Sequence, residues 1–379
     1  LEVIRYYGEA ILPSLVRTIF LITDTQRGGV PLVLKQRVLW LREAGLVDPV
    51  VVSIAPAGPI SDELSSTGVT CLSLNAQHRH DWRVLPRWLT LLRQQRPALV
   101  VSLMAHANLL AALGRTYYPA PKYIQELHTT QAHPGWPWPL LGMIAGSADI
   151  LVAPHSAVLD RIRPVAPQTA LGLLPNPLDV DRFATAAPMP TAELPWPVGS
   201  PVIGYVGRFD PIKNLPVLLQ AFAQVRRSSP TTHLALIGYG PEQAALTALI
   251  HELKLTTVVH IIPTTPTPER WLASIHTLAL PSQAEGFGMA VAEGLATGCQ
   301  IVASDLPPLR TILGDGRWGQ LVPPGSCDQL TTALSTASHT AQRTTHELAA
   351  ARAHLNSLCG PSALLDSWTQ LLRRIGTGD

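Results

Sequence analysis

Val202-Ile203-Gly204-Tyr205-Val206 runs without a break into Gly207-Arg208-Phe209-Asp210-Pro211-Ile212-Lys213-Asn214, and from Leu215 to Arg226 the chain takes up a helical pattern. A short β-rich run, a loop and an amphipathic stretch make one βα unit. The alternation continues with strands over His233–Ile237, Val258–Ile262, Thr277–Leu280, Gln300–Ala303 and Gln320–Val322, and a helix over Glu242–Leu253. Upstream the same rhythm predicts strands at Thr18–Thr23, Val50–Ala55, Thr70–Leu74, Leu99–Leu103, Lys122–Leu127 and Ile150–Ala153. Helices are expected at Leu32–Ala44, capped by Gly45, and at Trp82–Gln95, stopped by Pro97. Such alternation is the pattern of parallel sheets.

Between the two runs, Pro188, Pro190, Pro195 and Pro197 stand among small polar residues. Residues 184–200 therefore read as a stiff linker. The expected organisation is an extension of open role at 1–17, a Rossmann-like domain at 18–183, that linker, and a second Rossmann-like domain at 201–360. A helix within 361–379 is expected to fold back on the first domain. The class is α/β, two parallel-sheet domains facing a central cleft at the carboxyl ends of their strands.

Composition agrees with that layout. At 379 residues the chain is too long for one ordinary core. With 46% apolar and only 14% charged residues, a disordered or coiled-coil chain is excluded. A net charge of +2 gives no overall field for nucleic acid, so no nucleic-acid partner is expected. Lysine occurs only at Lys35, Lys122, Lys213 and Lys254. Cys71, Cys299, Cys327 and Cys359 form no C-x-x-C pair, which argues against zinc and for a reducing, cytoplasmic setting. No apolar stretch reaches the roughly 20 residues of a membrane span, and residues 1–17 are too mixed for a secretory signal.

Glu285-Gly286-Phe287-Gly288-Met289-Ala290-Val291-Ala292-Glu293 places two carboxylates eight positions apart around a glycine loop. If Gly288 opens a helix, Met289 and Glu293 share its face, and both carboxylates can reach one cleft. The amides of Gly286, Phe287 and Gly288 then stand at a helix N-terminus, suited to anions or sugar oxygens. Arg208 and Lys213, five apart on one loop after Gly207, can grip a diphosphate as a planar fork and a point charge, replacing a divalent metal.

Gly238-Tyr239-Gly240-Pro241-Glu242-Gln243 follows a strand as a dinucleotide fingerprint does, but lacks its third glycine and its ribose acid; a plain βα turn is the other reading. Asp24-Thr25-Gln26-Arg27-Gly28-Gly29-Val30-Pro31 is a glycine loop with Pro31 read as the first helical residue, where a ligand can approach the backbone. His106, His128 and His133 follow strand ends, with His128 the candidate for a substrate oxygen.

Taken in order, Gly28-Gly29, Pro175-Asn176 with Asp179, Gly207-Arg208 with Lys213, Gly238–Glu242, Glu285 to Glu293 and Leu321-Val-Pro-Pro-Gly325 resemble glycosyltransferase family 4, retaining enzymes of GT-B fold. The resemblance implies a nucleotide-sugar donor as substrate, bound by residues 201–360, with no resident cofactor and no metal. It also implies a glycan or lipid-linked acceptor on the side of residues 18–183, in cell-surface polysaccharide or glycolipid synthesis. By the family pattern Arg208 and Lys213 meet the diphosphate and Glu293 the ribose. Glu285, Phe287 and Gly288 hold the donor sugar, His128 reaches it from the first domain, and Gly28 and Gly29 line the diphosphate or acceptor side. The chain departs from the pattern after Ser304-Asp305, where Pro307-Pro308-Leu309-Arg310-Thr311 replaces two glycines and a glutamate.

Two rivals remain open at this stage. Glu285 and Glu293 could be the acid and nucleophile of a glycosidase, which needs carboxyls about 5 to 9 Å apart. Alternatively the chain could be a GT-B binding subunit without chemistry. Arg79, Arg83, Arg87, Arg93 and Arg96 with Trp82 and Trp88 also suggest peripheral contact with the inner face of a membrane, although Pro86 interrupts the helical run.

Overall fold

The computed structural model describes residues 15–78, 81–131 and 138–376. The expectations for Arg79, for His133 and for residues 1–14 of the extension lie outside the described residues, while Val16 and Arg17, expected in that extension, open β1. By internal contacts the chain divides into two compact units, one running to Pro177 and resuming at Cys359, the other Leu178–Leu358.

The first unit holds β1 (Val16–Ile22), β2 (Val47–Ser53), β3 (Thr70–Ser73), β4 (Leu99–Leu103), β5 (Lys122–Glu126), β6 (Ile150–Ala153) and β7 (Leu171–Leu173). Among the described residues these form one parallel sheet in the order β3-β2-β1-β4-β5-β6-β7. β7 is an addition to the expected strands. β2 starts before Pro49, which stands at the rim of the β3 ladder because that pairing begins at Val50.

The first helix, Gly29–Glu43, begins at Gly29 with Gly28 as its N-cap, so Pro31 is the third helical residue and not the first. The missing N–H of Pro31 still costs nothing, since the first four N–H groups have no partner within the helix. The same reason lets Pro86 sit inside the helix Val84–Gln95 without breaking it. That helix turns Trp88 wholly into the core, among Ile19, Val50, Val100 and Tyr123.

The helix Pro361–Ile375 completes this unit. Leu364, Leu365, Trp368, Leu371, Leu372 and Ile375 join the core of Phe20, Ile22, Val101 and Val152, and the Trp368 ring stacks on Phe20 at 6.0 Å. β7 meets the helix through Gly172, where a Cβ would lie 2.7 Å from Leu371 Cδ2. Six buried apolar side chains at about 1.5 to 3 kcal/mol each make this helix part of the fold and not an appendage.

The second unit holds β8 (Val202–Val206), β9 (His233–Ile237), β10 (Val259–Ile262), β11 (Thr277–Leu280), β12 (Gln300–Ser304) and β13 (Gln320–Val322). Their order is β10-β9-β8-β11-β12-β13, again parallel. From β8 the chain builds outward through β9 and β10, then returns to the other side of β8 as β11. The order therefore switches between β8 and β11, the place where open α/β sheets bind ligands at the carboxyl ends of their strands. In the first unit the corresponding switch lies between β1 and β4.

Residues 184–200, expected as a linker, lie within the second unit. Trp196 is buried against Val202, Ala235, Ile237 and Trp271, Met189 N donates to Ser274 Oγ at 2.8 Å, and Thr191–Glu193 forms a 3-10 turn. The prolines stiffen a strap laid over a sheet, because Trp196 supplies an apolar anchor for it.

Candidate donor site of the second unit

The loops that leave β8 and β9 are locked together before any functional side chain is placed. Gly207 has φ +150° and Gly238 φ +149°, and a Cβ on Gly238 would lie 1.9 Å from Gly207 O. A Cβ on Gly240 would lie 2.4 Å from Phe209 O. Phe209 N donates to Tyr239 O at 2.7 Å, and Glu242 N to Phe209 O at 3.1 Å. The glycines of 238–240 thus admit the backbone of the Arg208 loop, leaving no open face for a dinucleotide pyrophosphate there.

Buried Phe209 anchors that loop, its ring 6.2 Å from Tyr205, and Tyr205 OH donates to Arg208 O at 2.8 Å. The Arg208 side chain stays outward, 59% exposed, with Nε 2.8 Å from Asp210 Oδ2. Pro211–Lys213 makes a 3-10 turn, and Asn214 at φ +55° redirects the chain into the helix Leu215–Ser228.

Across the switch point, Gln283 N donates to Ile212 O at 2.8 Å, tying the β11 loop to this turn. Lys213 Nζ donates to Glu285 Oε1 at 2.7 Å, and Ser282 Oγ donates to the same oxygen at 2.6 Å. Glu285 is buried. The fold thus brings Lys213 and Glu285 together from 72 positions apart.

Gly286, Phe287 and Gly288 follow, with Phe287 buried. Gly288 caps the helix Met289–Thr297 at φ +105°, and a Cβ there would lie 2.2 Å from Leu309 Cδ2. Only glycine combines that left-handed backbone with that approach. The neighbouring helix Pro307–Ile312 begins with two prolines, so its first two positions offer no N–H; Arg310 pairs with Asp305 beside it.

Glu293 takes different company from Glu285. Burial pushes its carboxyl up to about 7, against the pull of Arg182, with Glu269 adding to the rise. Arg182 Nη2 is 2.9 Å from Glu269 Oε2 and reaches Pro266 O at 3.4 Å. Arg182 N is itself capped by Asp179 Oδ1 at 3.1 Å. Sequence reasoning missed Arg182, Glu269, Asp210 and Ser282. Asp210 and Ser282 stand beside chosen residues, but Arg182 falls where the first domain was expected, and its pairing across 87 positions leaves no local trace.

In the first unit, Gly28 is extended at φ −171° and Gly29 has open space where a Cβ would go. Neither glycine is required by the fold, and together they leave the start of the helix Gly29–Glu43 clear of side chains. Arg27 and Lys35 both pair with Glu63. His106 is exposed on the helix Ala105–Tyr117. His128 is held close to Glu126, its Nε2 3.2 Å from Glu126 Oε2.

Among the described residues no helix is long and apolar enough to cross a membrane. Trp82 is 78% exposed, whereas Trp88, the second aromatic of the expected membrane-facing stretch, is in the core.

Residues 191–351 match the family model for glycosyl transferases group 1. Among curated proteins, a D-inositol 3-phosphate glycosyltransferase from Nocardioides sp. is 32% identical over 232 residues, 56% of this chain and 47% of that protein. A phosphatidyl-myo-inositol mannosyltransferase from Mycobacterium tuberculosis is 31% identical over 164 residues, 43% of this chain and 42% of that protein. The matched part thus spans about half the length of these relatives. Among solved structures, Anabaena HepE in complex with UDP-glucose superposes with a TM-score of 0.81 at 18% identity, covering 94% of this chain and 99% of that one. Sucrose-phosphate synthase from Thermosynechococcus elongatus gives 0.77 at 18%, covering 96% and 100%. The fold is therefore that of GT-B proteins.

Proposed function

We propose that the chain, whose residues 191–351 match the family model for glycosyl transferases group 1, is a retaining, metal-independent glycosyltransferase. It moves a sugar from a nucleotide-sugar donor to a glycan or lipid-linked acceptor. The observation that carries this reading is the pairing at the switch point of the second unit: Arg208 and Lys213 on one locked loop, with Glu285 facing Lys213 at 2.7 Å.

Departure of a nucleoside diphosphate leaves negative charge on its oxygens while the anomeric carbon turns positive. Arg208 and Lys213 are placed to neutralise the first, and two fixed cations can supply what a divalent metal supplies elsewhere. Glu285, with the amides of Phe287 and Gly288, holds the sugar hydroxyls, and Glu293 accepts from the ribose. The leaving phosphate oxygen can take the acceptor proton, so no protein base is required. The glycosidase reading finds less support, since Glu285 is tied to Lys213 and Ser282, whereas burial holds the Glu293 carboxyl neutral up to about 7.

Solved neighbours hold UDP and UDP-glucose, which favours uridine diphosphate sugars as the first donors to try. Calorimetric titration with UDP, GDP and ADP sugars is expected to show binding by at least one. That donor should then be consumed in the presence of chelator, with the anomeric configuration kept in the product. Binding by none of the three, or an inverted product, refutes the reading. Peripheral membrane contact of the first unit, at the cytoplasmic face, is the finer part of this proposal and rests on exposed Trp82 beside Arg83.

A further inference from the structure

We propose that Glu126, held by Arg37, is a positioning residue that acts through His128; the inference rests on the transfer reading above and extends it to two residues no motif marks. β5 ends at Glu126, and the chain there is fixed on both sides. Asn108 Nδ2 donates to Glu126 O at 2.9 Å, Ser102 Oγ donates to Asn108 Oδ1 at 2.8 Å, and Leu127 N donates to Val152 O at 2.9 Å.

The Glu126 side chain is 2% exposed and forms an ion pair with Arg37, which is wholly buried on the first helix. Arg37 Nη2 also reaches Pro175 O at 3.3 Å. Glu126 uses Oε1 for Arg37 and turns Oε2 toward His128, whose Nε2 lies 3.2 Å away. The His128 ring is 10% exposed, and among the described residues neither of its nitrogens completes a hydrogen bond. At 3.2 Å the ring sits at contact distance from the carboxylate but off the hydrogen-bond line.

A buried ion pair is a poor device for stability, because apolar residues of the same volume usually serve as well or better. Retaining Arg37 and Glu126 in the core is explained by what the pair offers a third group. A carboxylate only accepts, so the ring nitrogen facing it must carry hydrogen, and Nδ1, itself buried, is the nitrogen left to accept from a ligand. Arg37 keeps Glu126 ionised, and the fixed end of β5 keeps it in place. His128 is thereby oriented for a substrate hydroxyl before substrate arrives, as outer partners orient other functional imidazoles. Remove the carboxylate and the ring loses the group that sets its rotation and its protonated nitrogen.

The test is a double-mutant cycle on kcat and KM with Glu126→Gln, His128→Ala and the two combined. Glu126→Gln is expected to lower kcat by about tenfold or more with little change in KM, and to have no further effect once His128 is alanine. Independent factors that multiply in the combined variant would overturn the proposal, since a merely structural glutamate would cost activity in either background. Because Glu126→Gln leaves Arg37 buried without its partner, the cycle is repeated with Arg37→Met/Glu126→Gln, which removes both charges and should give the same non-additivity. Proton NMR supplies a readout that needs no turnover. Nitrogen–proton correlation spectra of the imidazole, with the His128 signals identified by their loss in His128→Ala, should show the Nε2–H tautomer in the wild type and a changed tautomer population in Glu126→Gln. An unchanged tautomer population in Glu126→Gln, or an Nδ1–H tautomer in the wild type, refutes the positioning role even if no acceptor is found.

Discussion

Glu293→Gln is the substitution whose effect follows most directly from the structure. Burial raises the Glu293 carboxyl from the 4.5 of a free glutamate to about 7. Between those values the unfolded chain has released a proton that the folded chain still holds. The unfolded state then binds fewer protons, so stability falls as pH rises through this window and levels off above about 7. Below 4.5 the carboxyl is neutral in both states and costs nothing. At about 1.4 kcal/mol per unit of displacement, the full penalty is about 3 kcal/mol, of which about 2.5 kcal/mol develops between pH 5 and pH 8.

Glutamine keeps the shape and cannot ionise, so this penalty disappears. Hydrogen exchange of peptides covering Met289–Thr297, compared between wild type and variant at the same pH, isolates it from every group the two proteins share. An energy of about 2.5 kcal/mol corresponds to about 70-fold, so the ratio of wild-type to variant exchange rates should grow by about that factor from pH 5 to pH 8. A ratio that stays constant with pH would show that Glu293 is not held out of water as the structure places it. If the ratio grows yet donor affinity is unchanged in the variant, the assignment of Glu293 to the ribose fails on its own.

Lys213→Ala should lower transfer by roughly 100-fold through loss of charge at the leaving diphosphate. It should also destabilise the second unit by about 1 to 3 kcal/mol, because buried Glu285 loses the cation that donates to its Oε1; near-normal transfer in a folded variant would exclude the diphosphate role. Because of this folding cost, activity is normalised to folded protein by urea titration. For the membrane proposal, Trp82→Ser should reduce sedimentation with vesicles of anionic lipid severalfold while leaving binding of the donor in solution unchanged. Equal sedimentation of the two proteins, or none by the wild type, removes that proposal.

The two sheets were readable because parallel strands buried on both faces write continuous apolar runs, as Val202–Val206 and Leu99–Leu103 do. What escaped was short or carried by distant partners. β7 is three residues, Leu171–Leu173, too few for a pattern, and it exists because the helix Pro361–Ile375 packs on Gly172. For residues 184–200 proline reports stiffness and is silent about contacts; Trp196 is the sign in the sequence that the segment is packed down. Arg208, Lys213 and Glu285 could be chosen because each follows a strand on a loop with glycine. Arg37–Glu126 and Arg182–Glu269 could not, since their partners lie 89 and 87 positions apart.

Charge pairing, local and distant, gives the near-neutral charge of the chain its meaning. In the second unit each of four arginine and lysine side chains is matched by a carboxylate: Lys213 by Glu285, Arg208 by Asp210, Arg182 by Glu269 and Arg310 by Asp305. A site that must take up a diphosphate and let it go gains from this arrangement, because unmatched cations held partly out of water would weaken the fold. Under the proposed transfer, diphosphate binding exchanges one set of anions for another at Lys213 and Arg208. Glu285 then shares Lys213 with the diphosphate and is left beside the carbon where positive charge develops. The ion pair that holds Lys213 in place would thus also supply charge of the opposite sign when the bond breaks.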